Sequence, residues 1–295
     1  MTIVVAIALG TLIGLILGAL GGGGAILTVP ALVYLLGQTA QEATTSSLVI
    51  VGITAIVGTL NHTRSGQVRW KLGIGFGLAG IAAAFGGTVA NKQVDQNVLL
   101  MAFAAVMIAA AAGMLLRAGG DAHVDDPPGP LTRERSAPGL LPATTLSAAA
   151  VATRPIRSDE AATGHLPDRV VVLVAKVVLA GLAVGFLTGF LGVGGGFVIV
   201  PALVLALRFP MPAAVGTSLL IIAINSAASL GARATTAHFD WSIIVPFTIA
   251  AVLATFAGKR VADKMPATVL TRAFASLLIL VAVFVAVENL PDPGF

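Results

Sequence analysis

Long apolar blocks separated by short polar interruptions dominate the chain. The blocks are continuous rather than alternating, which argues against a membrane β-barrel. Lipid offers no hydrogen-bond partner to a free backbone group, so each block is expected to be a helix. The pattern predicts an all-α polytopic membrane protein with roughly eight to ten membrane segments. The blocks cover about 3–20, 24–36, 43–60, 72–90 and 97–117 in the first half and 170–190, 195–207, 214–231, 242–258 and 270–288 in the second.

The second block of each half is short. At a rise of about 1.5 Å per residue, some thirteen residues reach only about 20 Å, against a hydrocarbon core of about 30 Å. Blocks 24–36 and 195–207 are therefore predicted to be half-helices or tilted pieces, each forming a hairpin with the helix before it. The tip of such a hairpin lies within the membrane, which is permitted only where protein or a water-filled cavity surrounds it.

The two halves repeat each other in sequence. Residues 21–30 read GGGGAILTVP and residues 192–201 read GVGGGFVIVP, an offset of 171 residues (201 − 30). A repeat of this length indicates a duplicated structural unit. Paired Gly/Pro interruptions at corresponding places of a membrane protein indicate a transport site. Identical pairs at this offset include Gly14/Gly185, Gly18/Gly189, Gly23/Gly194, Gly24/Gly195, Ser47/Ser218, Trp70/Trp241 and Phe103/Phe274.

Composition supports the membrane assignment. Hydrophobic residues make up 57% and charged residues 10% of the chain, whereas a soluble chain carries about 25% charge. The first twenty or so residues lack a basic region, which favours a retained membrane segment over a cleaved signal peptide. The net charge of +4 is spread over short loops, as in proteins whose basic residues set membrane orientation. No nucleic-acid partner is expected.

Residues 118–169 separate the two halves and differ from them in composition. They include DDPPGP, TRERSAPG and many Ala, Ser and Thr residues, a composition typical of a flexible linker. The predicted organisation is a first membrane repeat over 1–117, a cytoplasmic linker over 118–169 and a second membrane repeat over 170–295.

The distribution of Lys and Arg favours inverted halves. If each half crosses the membrane an odd number of times, only Lys92 and Arg233 fall outside. An even number would make the repeats parallel and place the cluster from Lys259 to Arg272 outside, against the positive-inside rule. The basic residues predicted inside are the linker arginines, Arg64, Arg69, Lys71, Arg208, Lys259, Arg260 and Lys264, with Lys176 and Arg272 at inside helix ends.

The two glycine-rich boxes, each followed by Pro-Ala-Leu, resemble those of the TauE/SafE sulfite-exporter family. The stretches ATTSSL at 43–48 and AVGTSL at 214–219 fit the same pattern. The resemblance implies a multi-pass transporter of the bacterial inner membrane that moves small sulfur-containing or organic anions, often sulfite or sulfonates. Two features depart from the family pattern. The linker is long, and Gly22 and Ala25 replace the Val193 and Gly196 of the second box.

The glycine boxes are the first candidate binding elements. Without a Cβ the backbone can be approached closely, and each box leads into the N-terminus of a short helix, where free N–H groups and the helix dipole favour an anion. The alternative is close helix packing, for which membrane helices use small residues, and which suits the outer glycines at 14, 18, 21, 185, 189 and 192. The candidate anion-binding residues are Gly22, Gly23, Gly24, Gly194, Gly195 and Gly196.

Hydroxyl clusters are the second candidate. Neutral donors suit a transported anion, because a transport site must release what it binds. The alternative is that these side chains cap a helix or bond back to their own helix. Ser47 and Ser218 are preferred, because they are identical in the repeat. Thr44 begins the cluster of the first half, and the candidates are Thr45, Ser46 and Ser47 in the first half and Thr217, Ser218 and Asn225 in the second.

Other chemistries find no support in the sequence. The chain has no cysteine, no histidine pair with metal-ligand spacing, no Walker A motif and no nucleophile–base arrangement, so neither a metal, a cofactor nor an enzymatic activity is expected. We expect a secondary carrier that exports a small anion by alternating access, in contact with the lipid bilayer. The alternatives are an anion channel or a membrane scaffold without a substrate. The sequence indicates no particular oligomeric state.

Overall fold

A computed structural model describes residues 2–91, 93–121, 168–191, 196–233 and 239–288. The described residues form helices and connecting turns without strands, which confirms the all-α prediction. Seven of the helices in the described part of the chain are long and apolar enough to cross a membrane. The helices are α1 (Thr2–Leu20), α2 (Gly23–Pro30) with a π-helical turn (Ala31–Leu35), α3 (Ala40–Thr63), α4 (Trp70–Asn91), α5 (Gln96–Asp121), α6 (Asp168–Leu191), α7 (Gly196–Leu205), α8 (Met211–Arg233), α9 (Trp241–Ala262) and α10 (Ala267–Glu288).

Local sequence explains where several helices begin. Thr39 and Glu42 form a capping box at the start of α3, in which the Thr39 hydroxyl accepts from the Glu42 N–H and the Glu42 carboxylate accepts from the Thr39 N–H at 3.1 Å. The carboxylate of Asp240 accepts from the Ser242 N–H at 3.1 Å and caps α9. Trp70 and Trp241 open α4 and α9 at equivalent places and are exposed, as expected for interfacial anchors.

The short elements fall where the sequence predicts them. The chain turns at Gly21, whose φ of +70° suits glycine, and α2 then runs back along α1. Gly24 lies against the backbone of Ile13, and Leu32 of the π-helical turn packs in one cluster with Ala6. Proline has no N–H to donate to the preceding turn, and the π-helical turn begins directly after Pro30. The predicted half-helix hairpin is confirmed in the first half.

Helix pairing follows the sequence repeat. Under the repeat offset α1 corresponds to α6 and α4 corresponds to α9. In the structure α1 packs on α9 and α6 packs on α4, while α3 pairs with α8, α5 with α10 and α2 with α7. Exchange of the two halves therefore reproduces the same set of helix pairs. The first helix of each half rests on the other half, so the two halves are intertwined rather than side by side.

Glycines bring the paired helices into backbone contact. Gly14 and Gly18 of α1 face the backbones of Ala251 and Thr255 in α9, and a Cβ at either glycine would overlap those atoms. The Thr255 hydroxyl also donates to the Gly14 carbonyl at 3.1 Å. The equivalent Gly185 and Gly189 face Gly80 and Ala84 of α4 in the same way. The close-packing interpretation therefore fits these outer glycines.

The contacts also fix the directions of the helices. Residue numbers rise together along α1 and α9, which are parallel. Along α3 and α8 they run in opposite senses, because Gly52 lies against Ser226 and Gly58 against Leu219. The third helix of one half is thus antiparallel to the third helix of the other.

Glycine packing predicts which substitutions damage assembly. Gly14→Val should destabilise the protein by roughly 1–3 kcal/mol or more, because the added side chain overlaps the α9 backbone. Thermal unfolding in detergent, followed by size-exclusion chromatography, measures the effect. Gly86→Val is the matched control, since a Cβ at Gly86 meets nothing within 4 Å. Equal melting temperatures for the two variants would contradict the packing interpretation.

Candidate functional site

A cavity of about 270 Å³ lies where the two halves meet. One wall is the middle of α2, from Ala25 to Pro30, and the opposite walls come from α3 and α8. Its polar lining consists only of hydroxyl and amide groups, and none of the described lining side chains is ionisable. The polar lining residues are Thr44 and Ser47 of α3, Thr188 of α6, and Asn225, Ser226 and Ser229 of α8.

The cavity opens toward one end of the bundle. Ser226 is buried and Ser229, about one turn further along α8, is exposed. The exposed mouth therefore lies toward the end where α8 finishes. Because α3 and α8 are antiparallel, α3 begins at this same end.

Asn225 is the polar residue of the lining with an unmet hydrogen bond. Its Oδ1 is buried and has no hydrogen-bond partner among the described residues. A buried polar group without a partner costs about 1–3 kcal/mol. An amide can present either its oxygen or its NH₂ group to a guest. The arrangement is therefore suited to a polar guest in the cavity.

The N-terminus of α7 also reaches the cavity. Gly196, its first residue, lines the wall. The free N–H groups of a helix N-terminus carry the positive end of the helix dipole.

Helix α5 holds α7 in place at both ends. The ring of Phe103 lies edge-on to Phe197 with centroids 4.9 Å apart. At the other end Arg117 donates to the carbonyl of Val204 at 2.5 Å. A cation at the last carbonyls of a helix complements the dipole, so the short helix is fixed with its N-terminus at the cavity.

The first glycine box lies behind the cavity wall. A Cβ at Gly22 would overlap the carbonyl oxygen of Gly196, so the two boxes touch through their backbones. A Cβ at Gly24 would come within 2.8 Å of the Ile13 carbonyl oxygen, and one at Gly23 within 2.9 Å of a Leu277 methyl. Close packing therefore accounts for the small residues at these places. Gly194 and Gly195 lie outside the described residues.

Most predicted hydroxyls bond locally. Thr45 donates to the Gln41 carbonyl at 3.0 Å, and Ser218 donates to the Val215 carbonyl at 2.8 Å. The hydroxyl of Thr217 accepts from the Arg69 N–H at 3.2 Å and joins the two halves. Ser46 is fully buried and its Oγ has no partner among the described residues.

The structure brings three of the predicted residues to the cavity. Ser47, Gly196 and Asn225 are on its wall, although the Ser47 hydroxyl also donates to the Thr44 carbonyl at 2.8 Å. A further set of predicted residues is described but not among those that line the cavity. That set is Gly22, Gly23, Gly24, Thr45, Ser46, Thr217 and Ser218.

Sequence reasoning places Thr44 in the hydroxyl cluster without choosing it as a candidate, and it misses Thr188, Ser226 and Ser229. A signal for the last two exists in the sequence. Ile222, Asn225, Ser226 and Ser229 follow the i, i+3, i+4, i+7 spacing of one helix face. Three polar residues on one face of an otherwise apolar helix indicate a face that is accessible to water.

Comparisons with known proteins agree with this architecture. Residues 6–285 match the family model described as Sulfite exporter TauE/SafE. The chain is 30% identical over 287 residues to a "Probable membrane transporter protein" of Xylella fastidiosa, which covers 96% of this chain and 95% of that protein. It is 26% identical over 290 residues to the "Probable membrane transporter protein YunE" of Bacillus subtilis, covering 95% and 96% of the two chains. No solved structure gives a significant match.

The unpaired amide predicts a gain in stability from its removal. Asn225→Leu should raise the unfolding free energy by about 1–3 kcal/mol, because a buried polar atom without a partner is replaced by an apolar group. Thermal unfolding in detergent without added anions measures it. Thr217→Val should instead lower stability, since the Arg69 N–H then loses its acceptor. A lower melting temperature for Asn225→Leu would contradict the reading of Asn225 as a site residue.

Proposed function

The chain belongs to the TauE/SafE sulfite exporter family, and from this membership we propose that it is a secondary transporter exporting a small anion of the sulfite or organosulfonate class. The family and the relatives' names indicate a multi-pass membrane transporter rather than an enzyme. The observation that carries the finer proposal is the cavity of about 270 Å³ lined by neutral polar groups between the two halves.

The donor set suits an oxyanion. A sulfite or sulfonate head has three oxygens, and the neutral donors for them are Asn225, Ser226, Ser229 and the N-terminus of α7. The hydroxyls of Ser47 and Thr188 already donate to carbonyls of their own helices. A cavity of this size holds a small anion with several waters, since one water needs roughly 10–15 Å³. Hydrogen bonds from neutral groups are weaker than those from charged groups, which favours release.

Inverted halves would make alternating access possible. The antiparallel course of α3 and α8, and the helix pairs that recur on exchange of the halves, support an inverted repeat. Arg64, Arg69 and Lys259 all lie at the end away from the cavity mouth. Under the positive-inside rule that end is cytoplasmic. The cavity then faces outward, and transport requires a second state that opens it to the cytoplasm.

The membrane potential can drive export. An anion that leaves the cell gains about 2.3 kcal/mol per charge for each 100 mV. The described residues that line the cavity include no carboxylate to relay a proton. We therefore propose export without obligatory proton coupling.

Uptake of labelled sulfite into inverted membrane vesicles tests this proposal. At a fixed potential, positive inside the vesicle, uptake should continue when the pH gradient is abolished, and should fall when the potential is removed. Asn225→Leu should lose at least tenfold in rate. Thr248→Val is the matched control, because Thr248 is buried in α9, bonds only to its own helix at Ile244 and does not line the cavity.

Two outcomes would contradict the proposal. A strict requirement for a pH gradient would overturn uncoupled export. Single-channel currents from the purified protein in a planar bilayer would identify an anion channel instead of a carrier.

A further inference from the structure

A second, smaller cavity lies at the end of the bundle opposite the mouth of the first. Its volume is about 110 Å³, and its polar side chains are His62, Gln67 and Asp263. It is bounded by the C-terminal ends of α1, α3 and α9 and by the first turns of α8 and α10. The apolar lining residues are Ala19, Pro212, Val215, Ala262, Met265 and Leu270.

A buried cation lies beside this cavity. Lys259 is only 5% exposed, and its ammonium is 2.5 Å from Oδ2 of Asp263. The Asp263 side chain is 43% exposed. One partner of the ion pair is thus withdrawn from water, whereas the other stands at the cavity and reaches solvent. A buried charge requires a partner, so the ammonium needs an anion at this place.

Asp263 carries its charge at the wall of the cavity. Burial opposes ionisation of this carboxyl, but the hydrogen bond and the charge of Lys259 outweigh it, so the pKa of Asp263 lies below its usual value. The ionised carboxylate therefore stands on the cavity wall, which it shares with Gln67 of the loop between α3 and α4.

The duplicated fold does not require this cluster. Under the repeat offset, Lys259 corresponds to Thr88, Asp263 to Lys92 and His62 to Arg233. Thr88 is exposed and bonds to its own helix at Ala84. Helix packing is shared by the two halves, but the ion pair belongs to one face only. A feature that breaks the symmetry at one face is suited to a task performed at that face.

We propose that this cavity is a cytoplasmic anion site, in which a small oxyanion such as sulfite or a sulfonate replaces Asp263 on the ammonium of Lys259. The first turn of α8, with Pro212 and Val215 on the cavity wall, adds the positive end of a helix dipole. The Gln67 amide, also on the cavity wall, can donate to the guest. The site rests on the proposed export of an anion and names where that anion binds first.

The exchange keeps the buried charge paired. Replacing one anion by another leaves the ammonium with a partner throughout. The displaced carboxylate is already partly exposed and turns into water.

Two substitutions that break the same ion pair in opposite senses test the proposal. Lys259→Gln should raise the half-saturating sulfite concentration in inverted vesicles by about tenfold or more, because the cation of the site is lost. Asp263→Asn should lower it several-fold, because the competing carboxylate is lost. Lys264→Gln, on the exposed neighbouring lysine, is the matched control and should shift it less than twofold. If both variants shift the half-saturating concentration equally in the same direction, or if neither shifts it, the ion pair is only a structural contact and the proposal is wrong.

A binding measurement separates this site from the export proposal. The chain has no cysteine, so Met265→Cys gives a single thiol on the cavity wall. Methanesulfonate, which does not react with maleimides as sulfite does, should slow maleimide labelling of this thiol at least threefold at constant ionic strength. Lys259→Gln should abolish the protection and Asp263→Asn should produce it at lower concentration. Protection unchanged by Lys259→Gln, or no protection at all, overturns the site. Protection without sulfite uptake overturns the proposed export and leaves the site standing.

Discussion

Backbone contact through glycine is the interaction on which the rest of the structure depends. Inside a membrane the hydrophobic effect does not press helices together, because lipid tails are as apolar as the side chains. Gly14 and Gly18 let α1 lie on the backbone of α9, and Gly185 and Gly189 do the same for α6 on α4. The first helix of each half thus packs against the other half. The two pairs form firm outer walls, between which α2, α3, α7 and α8 are enclosed.

That enclosure is what permits a broken backbone at membrane depth. A helix that stops inside lipid would leave N–H and C=O groups without partners. Here Gly22 meets the backbone of Gly196, so the start of one short helix is covered by the start of the other. The same interruption shapes the cavity, because α2 is too short to fill the space beside α3 and α8. Packing and binding are therefore not competing explanations of the glycine boxes: the packing of Gly22 places Gly196 on the cavity wall.

The sequence was sufficient for the helices and only partly sufficient for the site. Continuous apolar blocks gave the helices to within a few residues, and the short second block correctly indicated α2, because both depend on local composition. The site depends on which face of α3 and α8 turns inward, and that is decided by contacts between the halves. The repeat favours Ser218 as the counterpart of Ser47, yet Ser218 donates to the Val215 carbonyl and is absent from the cavity lining. The counterpart of Thr188 in the repeat is Leu17, so the duplication does not indicate Thr188.

The two halves share their glycine contacts but differ in their ionisable groups. Two identical halves would present the same barrier to an anion from either side. The glycine contacts occur at corresponding positions of the two halves, because both ends of the bundle must be able to pack in the same way. The ionisable groups do not correspond in this way. Lys259 and Asp263 lie at one end, whereas the described lining of the main cavity at the other end is neutral. A buried cation holds an anion more firmly than hydroxyl and amide donors do. Movement of an anion from the cationic end to the neutral end is therefore uphill in binding free energy, so the proposed export needs the membrane potential to drive that step.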